Sequence, residues 1–323
     1  MLSYYRNLLL LVFLCFNYSG NCIAQKIRKE DYFFIDGLVQ KAGSMKGYGL
    51  QYIVDSISKD CKTELQITRA FYYWQTHFVD FDLKRKRHPG KLQDNASSAL
   101  MERRASSEGF ARMFKAMCDL KKIDCSVVKG VLRYRISDIG HFDKDEIHFW
   151  NVVSINNTSF LIDVSLGVGH FQGKDFINEF TDAWWLCNRK LFAASHFPDD
   201  NAMQLLETPI TKTEFSQSPI VLPGAIVAGL IPSKVVKGIL RGAAEDSTQI
   251  KFNLAGKLNI ISMQISFDDA KRIPVAYDFD EFGFYITVPN GKEGKHSASI
   301  YCNNSLAFIF KTEMRRNNKK PNR

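Results

Sequence analysis

Apolar positions along this chain follow two periods, and the change from one to the other divides it. From Lys46 to Phe81 the spacing is helical, with Tyr72, Trp74 and Phe78 on or near one face, where core packing accounts for them. Residues 83–102 read as a long polar connection. Ser106 or Ser107 then caps a helix in which Phe110, Phe114 and Met117 recur at i, i+4 and i+7. Glu108 in its first turn and Lys121 and Lys122 in its last complement the helix dipole. After Asp124 the pattern becomes that of strands: "CSVVKGVLRYR", "IHFWNVVSI" and "SFLIDVSLG".

The last two strand patterns are separated only by Asn156 and Asn157, which tolerate the positive φ of a tight turn, so they form an antiparallel hairpin with Ile155 opposite Thr158. Counting back sets Trp150 opposite Asp163 and His148 opposite Ser165. His148 and Asp163 then become diagonal neighbours on one sheet face, predicted to be the face toward the helix that Ser107 opens. Beyond Pro219, short β-like runs such as "TQIKFNLAG", "GFYITVPNGKEG" and "HSASIYCNNSLAFIFKTEM" alternate with turn residues and predict a small antiparallel sandwich. The fold class is therefore α+β: helices against an antiparallel sheet, then a β-sandwich-like domain. The boundaries are drawn at 25–215 for the first domain and 216–323 for the β-rich, Ig-like second one with its basic tail.

Length agrees with two domains, since 323 residues at 45% hydrophobic content can bury more than one core. The opening residues carry one early cation, Arg6, an apolar run from Leu8 to Phe16, and small and polar residues up to Ala24. That is the pattern of a cleavable export signal over residues 1–24, with Gln25 as the first mature residue. Leu14 before Cys15 and Asn21 before Cys22 do not suit a lipoprotein signal. The destination read from this is secreted or periplasmic. A second apolar stretch, "PIVLPGAIVAGLI" over 219–231, is broken by Pro and Gly and is short of a membrane span, so no transmembrane segment is expected.

Five cysteines follow the signal, Cys61, Cys118, Cys125, Cys187 and Cys302, with no CxxC pair and no histidine at zinc-ligand spacing. No metal and no cofactor is expected. Export permits a disulfide, and Cys118 and Cys125 are the nearest pair, but separate buried thiols are an equal reading. The net charge of +9 is concentrated in "LKRKRHPGK" over 83–91 and in the tail "KTEMRRNNKKPNR", runs read as solvated loops and tails that could also touch an acidic polymer or a membrane surface. Neither is interleaved with aromatics as a nucleic-acid stacking surface would be, so nucleic acid is not expected as a partner.

Three residues carry candidate chemistry: Ser107 at a helix start, and His148 and Asp163 inside otherwise apolar strand patterns. Singly, each has a plain structural role. Ser107 suits an N-cap, His148 a hydrogen-bonded core histidine, and Asp163 a strand end. Together, "ASSEGFA" at 105–111, "HFWN" at 148–151 and "LIDVSLG" at 161–167, with "HFPDDNAMQLLETPITKTEF" downstream, resemble the transglutaminase-like (papain-like) superfamily and its kyphoscoliosis peptidase-like branch. The resemblance covers roughly residues 46–215 and, more loosely, the β-rich tail.

In that family a cysteine opens the helix, and the resemblance assigns His148 and Asp163 to the histidine and aspartate that serve it. Gly109 and Phe110 match as well. At the cysteine's place this chain has Ser107, and the motif's first glycine is Ala105. A helix N-terminus and an imidazolium stabilise a thiolate, and backbone N–H groups there receive the oxyanion of an acyl intermediate. A serine hydroxyl is far less acidic and needs a base in hydrogen-bonded geometry.

The expectation is an exported transglutaminase-like protein that has lost its chemistry and keeps its cleft for a polypeptide or another acyl-bearing partner. One alternative is an active serine acyltransferase or hydrolase using Ser107, His148 and Asp163. Another is an adhesion or polymer-binding protein working through the C-terminal β domain.

Overall fold

The computed structural model describes residues 29–88, 94–256, 260–280 and 283–316. Residues 1–24, read above as an export signal, lie outside them. The chain begins with three helices, α1 (Lys29–Ala42), α2 (Leu50–Ser58) and α3 (Glu64–Phe78). Tyr72 and Trp74 of α3 are fully buried, and Phe78 lies partly buried at its end.

Residues 83–102 are not the plain polar connection expected. Between the short parallel pair β1 (Asp80–Phe81) and β2 (Arg104–Ala105) lie two helices, α4 (Leu83–Arg87) and α5 (Ala96–Glu102). Their caps explain them: Asp82 accepts from Lys84 N and Arg85 N, and Asn95 and Ser98 form a reciprocal capping box. The basic run is likewise not wholly solvated. Arg85 is buried and donates to Glu102 at 2.7 Å and to Arg104 O at 2.8 Å, and Lys86 pairs with Glu146.

Helix α6 (Ser107–Leu120) follows, then β3 (Cys125–Leu132), β4 (Ile147–Ile155) and β5 (Thr158–Ile162). The β4–β5 turn is the counted one, with Asn156 and Asn157 both at positive φ and Ile155 paired with Thr158. The second strand is shorter than its apolar pattern, however. It stops at Ile162, and α7 (Val164–Val168) takes over because the Asp163 side chain accepts from Leu166 N and so caps a helix. Ser165 is therefore helical and has no strand partner opposite His148.

A hairpin, β6 (Gly169–Gln172) with β7 (Asp175–Asn178), leads to α8 (Arg189–Ser195) and β8 (His196–Pro198), which completes the antiparallel sheet β5-β4-β3-β8. Gly130 of β3 sits between β4 and β8, opposite His148 on one side and Pro198 on the other. A Cβ there would lie 2.2 Å from Phe197 O and 2.6 Å from the Trp150 ring, so only glycine fits.

After α9 (Lys212–Gln217), the stretch 219–231 is divided among β9 (Ile220–Val221), α10 (Pro223–Ala228) and β10 (Leu230–Pro232). Among the described residues no helix is long and apolar enough to cross a membrane. The remaining strands are β11 (Ile239–Ala243), β12 (Ser247–Leu254), β13 (Met263–Phe267), β14 (Ile273–Pro274), β15 (Ala276–Asp280), β16 (Gly283–Pro289), β17 (Gly294–Cys302) and β18 (Ser305–Arg315). They form two sheets, β10-β12-β16-β15 and β11-β18-β17-β13-β14, with β9 also pairing β18.

All pairs in these two sheets are antiparallel except β11–β18, an exception to the all-antiparallel expectation. The chain enters β11 held to the end of α9, where Gly238 N donates to Gln217 O at 2.7 Å, and so meets the edge of β18 running in the same direction. The residues "KTEMR" that open the basic tail belong to β18.

Among the described residues there are two large cores, beside a small cluster of Val131, Phe197 and Phe215. One joins the helices to a sheet face through Phe71, Trp74, Phe110, Phe114, Val153 and Ile162. The other runs without interruption from Trp150 and Phe192 through Val221 to Phe252, Ile300 and Phe308, so it crosses the boundary drawn at residue 216. Polar contacts cross it as well: Arg133 donates to Ser218 Oγ and Ser218 O at 2.8 Å, and Lys311 to Ile139 O at 2.6 Å. The five cysteines past residue 28 are all free, and four of them are buried.

Candidate functional site

Ser106, not Ser107, is the N-cap of α6. Its side chain accepts from Glu108 N at 3.4 Å and donates to Asp94, whose carboxyl burial pushes up against the opposing effect of that bond. Ser107 is thereby released from the capping role that its sequence position allows. Gly109 is required one turn in, because a Cβ there would meet Asp94 Oδ1 at 2.2 Å and Ala105 Cβ at 2.8 Å.

Ser107 Oγ accepts a hydrogen bond from Phe149 N on β4 at 3.3 Å. Ser107 borders a cleft of about 780 Å³ whose walls include Ser106, Tyr134, Arg135, Glu146 and Phe149.

The register brings His148 and Asp163 together. His148 Nε2 donates to Asp163 Oδ2 at 2.6 Å, since an ionised carboxylate can only accept. Asp163 Oδ1 accepts from Ser165 Oγ at 2.7 Å and from Leu166 N at 3.0 Å. Burial is the largest single influence on Asp163 and pushes its carboxyl up, yet the two imidazoles bonded to it hold it well below the usual carboxylate range.

The sheet face is not the expected one. Asn151 donates to Ala111 O of α6 at 3.0 Å, so alternation along β4 sends Asn151, Val153 and Ile155 to the helical layer. His148 has the parity of Trp150, whose ring packs near Phe192 of α8 and belongs to the other core. His148 is 1% exposed against 5% for Ser107 and does not line the cleft, and its Nδ1 has no hydrogen-bond partner. The structure therefore links His148 to Asp163 and joins Ser107 to the adjacent residue's backbone, with no hydrogen bond between Ser107 and His148.

A second imidazole escaped the sequence reading. His196, the first residue of β8, donates from Nε2 to the same Asp163 Oδ2 at 3.1 Å, and its Nδ1 lies 2.8 Å from Ser195 Oγ, which donates to Phe192 O at 3.1 Å. Its ring stacks on Phe192 at 3.9 Å between centroids and meets Trp150 and Trp184 edge-on. Burial pushes this histidine down to about 4 against the pull of Asp163. Its place in "SHFP" carries no periodic signal. Only the pairing of β8 with β3 brings it near.

The ligand atoms of His148, Asp163 and His196 lie within 4.8 Å of one another, close enough to share an ion. The 2.6 and 3.1 Å separations are those of hydrogen bonds, and they account for both Nε2 atoms and for Asp163 Oδ2, so we read the cluster as a hydrogen-bonded network.

Comparison with known proteins agrees with this architecture. Residues 51–162 match the family model of the transglutaminase-like superfamily. The helical layer and its sheet are a transglutaminase-like core. The human kyphoscoliosis peptidase is 26% identical over 177 residues, 53% of this chain and 26% of that protein. The LIM and transglutaminase domain protein of Caenorhabditis elegans is 22% identical over 187 residues, 52% of this chain and 25% of that one. The chain thus spans about a quarter of the length of these curated relatives, of which it is a distant homologue. A solved TGase structure aligns with 55% of this chain and 42% of its own at 14% identity and a TM-score of 0.29, a likeness too slight to build on.

Proposed function

We propose that this chain is an exported transglutaminase-like protein in which Ser107 stands at the place of the family's nucleophilic cysteine, that it has lost acyl-transfer chemistry, and that its cleft serves to bind polypeptide. The observation that carries this is the separation of the hydroxyl from its base. Ser107 lines the cleft and its Oγ accepts from Phe149 N, while the His148–Asp163 pair is buried among aromatic rings and does not line it. A serine must lose its proton during attack to a base within hydrogen-bond reach. A cysteine at this helix start could instead ionise before attack, so replacing sulfur by oxygen removes the route that tolerates looser geometry. Export rests on the residue pattern of positions 1–24 alone.

Peptide and amide substrates should not be turned over, and fluorophosphonate probes should leave Ser107 unlabelled from neutral to alkaline pH. Turnover that disappears in Ser107→Ala would overturn the reading. Ser107→Cys provides the complementary test. If the site lacks only its sulfur, iodoacetamide should label residue 107 rapidly below neutral pH, and His148→Ala should abolish that reactivity. An ordinary thiol titration near pH ~8.5, indifferent to His148→Ala, would mean that the residues no longer form a site.

One observation favours the alternative of an active serine hydrolase. His148 Nδ1 has no hydrogen-bond partner and belongs to the residue next to the backbone N–H that Ser107 already touches. Labelling of Ser107 by the fluorophosphonate probe decides for it.

A further inference from the structure

Asp163 has two oxygens and four donors. Oδ1 serves Ser165 Oγ and Leu166 N; Oδ2 serves His148 and His196. We propose that His196 is a positioning residue for the His148–Asp163 pair: by donating to the oxygen that His148 uses, it fixes the carboxylate and divides that oxygen's pull between two imidazoles. The proposal rests on reading His148 and Asp163 as the site's histidine–aspartate pair, and it adds a residue outside the Ser107, His148 and Asp163 set.

The surroundings hold His196 to that role. Because Asp163 can only accept, Nε2 must carry a proton, while Nδ1 lies 2.8 Å from Ser195 Oγ, whose hydroxyl also reaches Phe192 O at 3.1 Å. Phe192 covers one face of the ring, and Trp150 and Trp184 close the edges, so it cannot turn away without opening the core. Strand pairing sets the distance: Leu132 opposes His196 and Gly130 opposes His148, which places the two histidines on rows two residues apart along β3. Of the other titratable groups, Tyr72 of α3 lies within electrostatic reach of Asp163, but it donates its hydroxyl proton to Thr181 O at 2.9 Å and does not compete for the carboxylate.

Sharing has a direct consequence. A carboxylate oxygen that accepts two N–H groups is a weaker acceptor for each. Removing the His196 donor leaves Oδ2 to His148 alone and strengthens that bond. An imidazolium at His148 is then better stabilised.

The test is nitrogen-15 and proton NMR of the histidine rings in the full chain. In the unaltered protein at neutral pH, His196 should be the neutral Nε2–H tautomer, with hydrogen-bonded ring protons at low field for both histidines. In His196→Leu the His148 Nε2 proton should move to still lower field. In His196→Gln, whose amide N–H reaches about as far as the imidazole Nε2, it should stay near its original position. A His196 protonated on Nδ1 in the unaltered protein would overturn the proposal without any variant having to fold. So would a His148 proton that is unmoved or moves upfield in a folded His196→Leu chain.

None of this requires turnover, so the proposal can fail while the reading of the site stands. A separate arm tests that reading. In the Ser107→Cys background, His196→Leu should make iodoacetamide labelling of residue 107 roughly threefold faster at a fixed pH below neutrality. Equal rates beside a moved His148 proton would uphold the sharing of Asp163 and count against Ser107 as the partner of the pair.

Discussion

The two halves of this molecule bury different things. Before residue 205 the interior holds ionisable side chains, among them Arg69, Arg85, Arg133, Asp138, His148, Asp163 and His196. After residue 216 the buried polar residues among those described are Ser266, Asn290, Ser299 and Thr312, none of them charged, within a core of Ile250, Phe252, Phe284, Ile300 and Phe308. A buried charge is tolerated only when paired and hydrogen-bonded, and it stabilises less than apolar packing of equal volume. The helix–sheet half thus carries polar networks that stability alone does not require, and the sandwich contributes plain apolar burial to the core the two halves share.

That contrast can be broken most forcefully at Asp163. Asp163→Ala leaves two buried imidazoles without their acceptor and removes the cap of α7, and it should cost about 3–5 kcal/mol of unfolding free energy in urea titrations. Phe308→Ala should cost a similar ~3–5 kcal/mol through its cavity. What distinguishes them is the response to acid, flat for the Phe308 effect and steep for the network. A loss below about 1 kcal/mol for Asp163→Ala would mean that the network is decoration on an apolar core.

Acid sharpens the comparison next. His196 titrates lower in the fold, at about 4, than the ~6.5 of an unfolded chain, so the unfolded state takes up its proton first as pH falls. Stability from this residue is complete above pH ~6.5 and is lost on the way down to about 4, on the order of 3 kcal/mol in all. Asp163 is held low instead, so its contribution persists to the unfolded carboxyl value near ~3.9 and fades only below that. Urea unfolding at several pH values should show His196→Gln flattening the upper window and leaving the lower one. An identical slope in both proteins would contradict it.

Smaller effects probe packing in each half. Gly109→Ala places a methyl against Asp94 and Ala105 at the start of α6 and should cost about 1–3 kcal/mol. Ile300→Val in the sandwich should cost only about 0.5–1.5 kcal/mol, because it removes one methyl group from a sheet core without touching a polar group. Thermal melts of the two variants would reverse the contrast if Ile300→Val proved the more damaging.

Local pattern determined a good deal of this protein. Alternation and the Asn156–Asn157 turn were enough to count the β4–β5 register, which put His148 beside Asp163, because side-chain direction in a strand has period two and a tight turn admits one register. Helical spacing likewise gave the apolar face of α6, and turn residues marked the β-rich second half. Caps were also written in the sequence at Asp82 and Asn95, although the charge of the surrounding run masked them.

Tertiary structure decided what local pattern leaves open. Which sheet face meets α6 depends on the packing of layers and not on the strand's own alternation, and so His148 lies with Trp150 and not with Asn151. Asp163 ends its strand because its side chain finds backbone N–H groups to cap, a competition between neighbours that hydrophobic spacing does not encode. His196 joins the site only through the pairing of β8 with β3, a contact between segments more than sixty residues apart. Contacts at that separation arise from the closing of the whole sheet, so a pattern read within a few residues of a side chain contains no trace of them.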